Sequence, residues 1–135
     1  MTHEQYIELE TARLAKQAGF DWECRGLYFL ADGEFKYGVQ GNWNKTMLGE
    51  QVVSAPTQAV LQRWLQVEKQ IIIEPVYDIH ENLFFCRYLI GKSRNWQYLT
   101  KLLYGEEYLK ISFNTYEDAL EAGLQKCLTL IIEKQ

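Results

Sequence analysis

Few side chains in this sequence have both the type and the spacing that chemistry requires. Gly91-Lys92-Ser93 matches the end of a phosphate-binding loop, but that loop also needs a glycine five positions earlier, where Cys86 stands. The Arg94-Asn95-Trp96 that follows lacks the apolar start of the usual helix, so a polar turn after a strand is the better reading. The two histidines, His3 and His80, are far apart and belong to no CxxC, HxH or HExxH cluster, whereas structural zinc takes Cys and His at characteristic spacing. A composite site of His80, Cys24, Cys86 and an acid is the metal arrangement left, and it lacks that spacing. Nucleophilic catalysis needs a Ser, Cys or Thr beside a base that a third group orients, and His80 is the one plausible histidine base. The acid pairs Asp21/Glu23 and Asp32/Glu34 flank turn or loop residues, where acids are common for solubility. No catalytic set, metal or cofactor is expected, and the chain reads as noncatalytic.

Two stretches suit binding better than catalysis. Residues 83–113 hold Arg87, Lys92, Arg94, Lys101 and Lys110 against Glu106 and Glu107, with Trp96, Tyr98 and Tyr104 interleaved. Cations that hold phosphates beside rings that stack on bases would make 87–110 a nucleic-acid contact. The plainer reading has Trp96 covering one end of the core while Lys and Arg stay solvated. Trp43, in Gly41-Asn42-Trp43-Asn44-Lys45, presents the same choice between an exposed anchor for a partner and a buried pin for its loop. The candidate partner or nucleic-acid contacts are Trp43, Lys92, Arg94, Trp96 and Lys101, with a protein or a second copy of the chain as the favoured partner. Asn44-Lys45-Thr46 fits the glycosylation pattern, which here marks a surface loop.

Composition narrows the classes of function. With 135 residues, 47% of them hydrophobic and 24% charged, the chain has the size and apolar content of one globular domain with a core. A net charge of −4 and a pI near 5.2 disfavour nonspecific attachment to nucleic acid or anionic membrane. The start, MTHEQYIELE, lacks the basic and apolar regions of a signal peptide, and no apolar run approaches the roughly 20 residues a bilayer needs. Cys24, Cys86 and Cys127 are odd in number and irregular in spacing, so reduced thiols in a cytoplasmic protein are expected.

The elements that must position these residues follow from periodicity. Tyr116, Ala119, Leu120, Gly123, Leu124, Cys127, Leu128 and Ile131 share one stripe of a helix over 115–133, with Thr115 and Asp118 as a capping box. Glu117, Glu121, Gln125 and Thr129 fall on its opposite, polar side. Thr2 and Gln5 suggest a similar box opening a first helix, whose face is Ile7, Thr11, Leu14, Ala15 and Ala18 and whose stop is Gly19. Asp32-Gly33 between aromatic-rich segments predicts a hairpin with a tight primed turn. Residues 38–53, rich in Gly and Asn, read as a long loop. A second helix opens at Ser54-Ala55-Pro56-Thr57 with Pro56 in its first turn; Val60, Leu61, Trp64, Leu65 and Val67 face inward, and Gln58, Gln62, Gln66 and Lys69 face out. Ile71 to Ile79 is a strand, with Pro75 implying a bulge or an edge. His80-Glu81-Asn82 turns into a strand over 83–90. Trp96, Leu99, Leu102 and Leu103 suggest a short helix, and 108–113 a last strand. The expected class is α+β, an antiparallel β-sheet packed by two or three α-helices in the order α-β-β-α-β-β-(α)-β-α.

Three segments carry a likeness: ETARLAKQAGFD (10–21), SAPTQAVLQRWLQ (54–66) and TYEDALEAGLQKCLTLI (115–131) resemble a group of small uncharacterised proteins of phages and prophages of gut bacteria. The likeness implies a phage-type accessory protein and no particular activity or functional residue. Residues 91–107 depart from the group, so it lends nothing to the basic stretch.

Overall fold

The computed structural model describes residues 5–99 and 112–135. Its α+β architecture holds three α-helices and two three-stranded antiparallel sheets among those residues. In chain order they are α1 (Leu9–Ala18), β1 (Cys24–Phe29), β2 (Phe35–Gly41), a 3₁₀ turn (Trp43–Lys45), β3 (Val52–Ser54), α2 (Gln58–Lys69), β4 (Ile71–Asp78), β5 (Leu83–Ile90), β6 (Gln97–Tyr98) and α3 (Tyr116–Glu133). The sheets are ordered β2-β1-β3 and β4-β5-β6, in place of the single sheet expected. No described helix is long and apolar enough to cross a membrane.

The last helix forms where its periodicity places it, with the Thr115 side chain accepting the Asp118 N–H at 3.0 Å. It packs on β4, β5 and both other helices, burying Ala119, Leu120, Leu124, Cys127 and Leu128. Each buried leucine stabilises the fold by about 1.5–3 kcal/mol. Gly123 lets the helix approach the sheet, since a Cβ there would lie 2.5 Å from Cys86 Sγ and 2.8 Å from Ile73 Cγ2. Glu121, expected on the polar side, is instead buried at 7% exposure, because the ends of α1 and α2 supply donors to it.

The first helix begins at Leu9, and of the expected capping box Gln5 is not helical while Thr2 lies outside the described residues. Gln5 to Ile7 is an extended strap, held by Ile7 N–H to the Pro56 carbonyl (3.1 Å) and Gln58 N–H to the Gln5 carbonyl (2.7 Å). Ile7 is buried as part of that strap. At the other end the Gly19 cap is as expected: φ is +99°, Gly19 N–H reaches the Lys16 carbonyl and Phe20 N–H the Ala15 carbonyl. Phe20 turns back into the core, 5.4 Å from the Trp64 ring.

Both hairpins close by the same device. Gly33 N–H bonds to the Phe29 carbonyl and Asn82 N–H to the Asp78 carbonyl, each across a four-residue loop whose last residue has positive φ. The Asp32-Gly33 turn is thus wider than the primed turn expected, with Gly33 alone taking positive φ. Within 38–53, β2 runs on to Gly41 and β3 opens at Val52, so much of the expected loop is sheet. Pro56 precedes the second helix instead of entering its first turn, and Thr57 caps it through the Val60 N–H. Val67 is 56% exposed, and Gln58 is buried because Glu121 receives its amide. Pro75 lies on an edge strand in unbroken register with Cys86. Residues 97–99 are strand and turn where a helix was expected, because β6 pairs with Arg87 and Tyr88. Phe113 bridges Phe84, and the other residues of the expected helix and last strand, Leu102, Leu103 and 108–111, lie outside the described residues.

Candidate binding groove

Strand β2 pairs with β1 alone among the described residues, so one of its edges presents unpaired backbone groups. Lys36 to Gln40 are all exposed, with Tyr37 at 59% and Val39 at 77%. Apolar residues of that size on an open edge are unusual, since edges are normally blunted. Beside this strand lies an open groove of about 380 Å³, lined by Tyr6, Glu23, Arg25, Tyr37 and Gln40, with Pro56 and Val60 also contributing.

Three separate segments build it. The strap before α1 delivers Tyr6, whose ring lies 5.0 Å from Phe35 and 5.9 Å from Tyr37. Tyr28 fixes the strap from beneath, donating its O–H to the Ile7 carbonyl at 2.7 Å. Burial pushes the Tyr28 phenol up, with the Glu121 and Glu8 carboxylates adding to the effect. Strand β1 delivers Arg25 at an irregularity in the ladder: between the pairs Cys24↔Gly41 and Gly26↔Tyr37, Arg25 faces Gly38, Val39 and Gln40. Bulges of this kind bend a strand and re-aim its side chains. Cys24 and Gly26 are buried, so the intervening Arg25 is turned outward, where Nη1 donates to Tyr37 Oη at 3.3 Å. That bond to Tyr37 raises the already high pKa of the guanidinium. Gly26 has no room for a side chain, because a Cβ would meet the Ala55 carbonyl at 2.4 Å.

The residues singled out from sequence lie elsewhere. Trp43 is partly buried, donates its indole N–H to the Cys24 carbonyl at 3.0 Å and packs on Gly41. Its neighbours pin the same stretch: Asn42 donates to the Asp21 carbonyl, and Asn44 donates to Phe20 and accepts from Ser54. Lys92 and Arg94 are exposed in the turn after β5. Trp96 is partly buried beneath Arg87, whose guanidinium carbon lies 4.2 Å from the ring centroid and whose charge is paired with Glu74. Lys101 lies outside the described residues. The structure thus brings Arg87 to Trp96 and leaves Trp43 on the other sheet.

The candidates for chemistry are dispersed. His80 is exposed at the tip of the β4–β5 hairpin, Cys86 is buried mid-strand and Cys24 belongs to the first sheet. Among the described residues no three His, Cys, Asp or Glu are grouped to hold a metal ion. Burial pushes the Cys86 and Cys127 thiols up to about 12, which keeps them protonated and poor nucleophiles. Sequence reasoning passed over Tyr6, Arg25 and Tyr37, which no local pattern connects. The signal was available in the aromatic-rich hairpin with an arginine at its start. Comparison with protein-family models, curated proteins and solved structures gives no match.

Proposed function

We propose that the chain is a noncatalytic accessory protein of the phage or prophage type its segments resemble, acting in the cytoplasm by binding another protein through the groove and free edge of β2. The observation that carries this reading is the run of exposed residues Lys36–Gln40, including Tyr37 and Val39, on a strand whose outer edge is unpaired among the described residues. Added strands gain main-chain hydrogen bonds from such an edge and specificity from pockets beside it. Partner capture from the native host, run beside Tyr37→Lys and Val39→Lys chains, tests it. Loss of a partner from both variants supports the reading, and capture unchanged in both removes it. Sedimentation of the purified chain separates self-association through the same edge from a different partner.

A second reading, contact with nucleic acid through 87–110, draws on Lys92 and Arg94, which are exposed close to Trp96. Against it, Arg87 is already committed to Glu74 and to the Trp96 ring, and the net charge is −4. Fluorescence anisotropy with single-stranded and duplex DNA at low salt decides it: affinity that falls steeply with salt and with Lys92→Glu or Arg94→Glu supports the contact.

A further inference from the structure

We infer that the groove beside β2 holds the carboxylate of one acidic side chain, carried on an extended partner segment that lies along the free edge of that strand. The inference rests on reading the groove as the binding site and names the chemistry it selects.

Arg25 is the cation at issue. One of its five N–H donors goes to Tyr37, and among the described residues no carboxylate lies within ion-pair distance of it; the ion pairs there are Lys36–Glu34 and Arg87–Glu74. Because Tyr37 Oη accepts from Arg25, the phenolic proton remains to be donated elsewhere. A guanidinium fork beside an O–H donor matches the two oxygens of a carboxylate. Glu23 lines the same groove and lies two residues earlier, roughly 7 Å along an extended chain. Its negative charge repels any anion in the groove, and a dianion such as phosphate about twice as strongly as a single carboxylate. Among the described residues the outer edge of β2 is unpaired on either side of this point, from Phe35 to Gly41, so a bound segment passes through, and its carboxylate belongs to a side chain rather than to a chain end.

The full chain, labelled for amide NMR, is titrated with three peptides: acetyl-Val-Thr-Glu-Thr-Val-amide, its Gln twin, and acetyl-Val-Thr-Val-Thr bearing only a terminal carboxylate. The expected result is that the Glu peptide moves the amides of Arg25 and residues 35–41, and that the Gln twin binds at least about tenfold more weakly, as loss of a charged hydrogen bond implies. Arg25→Gln removes the difference between the two, and Tyr37→Phe reduces it. Both substitutions are at exposed positions, and an unchanged spectrum elsewhere verifies the fold. Equal binding of the Glu and Gln peptides, no shift by about 10 mM, or tighter binding of the terminal carboxylate overturns the inference. If Tyr37→Lys and Val39→Lys still abolish partner capture in that case, the groove stands and only its carboxylate chemistry falls.

Discussion

Glu121 Oε2 accepts the backbone N–H of Glu8 at 2.9 Å, so a residue in the body of the last helix satisfies the entry to the first from 113 positions away. The same oxygen accepts the Thr11 hydroxyl proton, while Oε1 takes the Gln58 amide at 2.8 Å. Gln125 completes the cluster by donating to Thr11 Oγ1. One carboxylate therefore faces the positive ends of two helices and ties all three together. Glu121→Ala would strand three donors, and a loss of about 3–5 kcal/mol is expected. Glu121→Gln keeps one acceptor oxygen and should cost roughly half as much. Urea unfolding of both variants measures this, and a cost under about 1 kcal/mol for Ala would show the cluster to be incidental.

What could be read from the sequence was whatever a single element determines. The stripe of α3, its Thr115 cap and the Gly19 stop are each written within one turn of the residues that form them. Glu121 misled because a 3.6 period assigns it to a side of its own helix and says nothing of the donors that neighbouring helix ends bring. Val52-Val53-Ser54 is too short to show alternation and is buried throughout, so β3 was hidden in a Gly- and Asn-rich run. The groove depends on Tyr6, Arg25 and Tyr37 from three segments, and on a bulge that alternation cannot reveal.

Gly123 marks the closest approach of α3 to its sheet. A helix-interior glycine normally gains about 1 kcal/mol on change to alanine. Here the added methyl meets Cys86 Sγ at 2.5 Å and Ile73 Cγ2 at 2.8 Å. Overpacking of that kind costs about 1–3 kcal/mol and wins, so Gly123→Ala should lower Tm. Adding Cys86→Ala removes the nearer atom and should recover part of the loss. A double-mutant cycle with additive effects would contradict this geometry.

Burial protects Cys86 and Cys127, and their pKa values of about 12 leave a thiolate fraction on the order of one in ten thousand at pH 8. In a Cys24→Ser chain, labelling by an aromatic disulfide reagent should therefore proceed only as fast as the fold opens and accelerate sharply in urea. Release of one thiol equivalent within the mixing time, without denaturant, would place a reactive cysteine at the surface.

Gln70 ends α2 in the left-handed region at φ +57°, where only glycine avoids a steric cost. Its backbone carbonyl also accepts the Gly91 N–H at 2.8 Å, a bond that glycine keeps. Gln70→Gly should stabilise the chain by about 0.5–1 kcal/mol, seen as a higher urea midpoint with unchanged slope. An equal or lower midpoint would mean that the added freedom of the unfolded glycine outweighs the relieved backbone.

Glu8 begins α1 without a capping side-chain bond, and burial together with the Glu121 and Asp118 charges raises its carboxyl above the ordinary 4.5. An acid with a raised folded value opposes folding once ionised: the penalty is absent below 4.5 and complete above the raised value, so Glu8 subtracts from stability as pH rises through that window. Asparagine at the same position carries no charge and is a strong helix cap. Glu8→Asn should thus stabilise the chain by about 1 kcal/mol through the cap at every pH, with an additional gain at pH 7 that fades as pH falls through the raised value and is gone below 4.5. Thermal unfolding of both chains across that range reads the difference directly. A gain that grew on acidification would reverse the sign of the Glu8 interaction with Glu121.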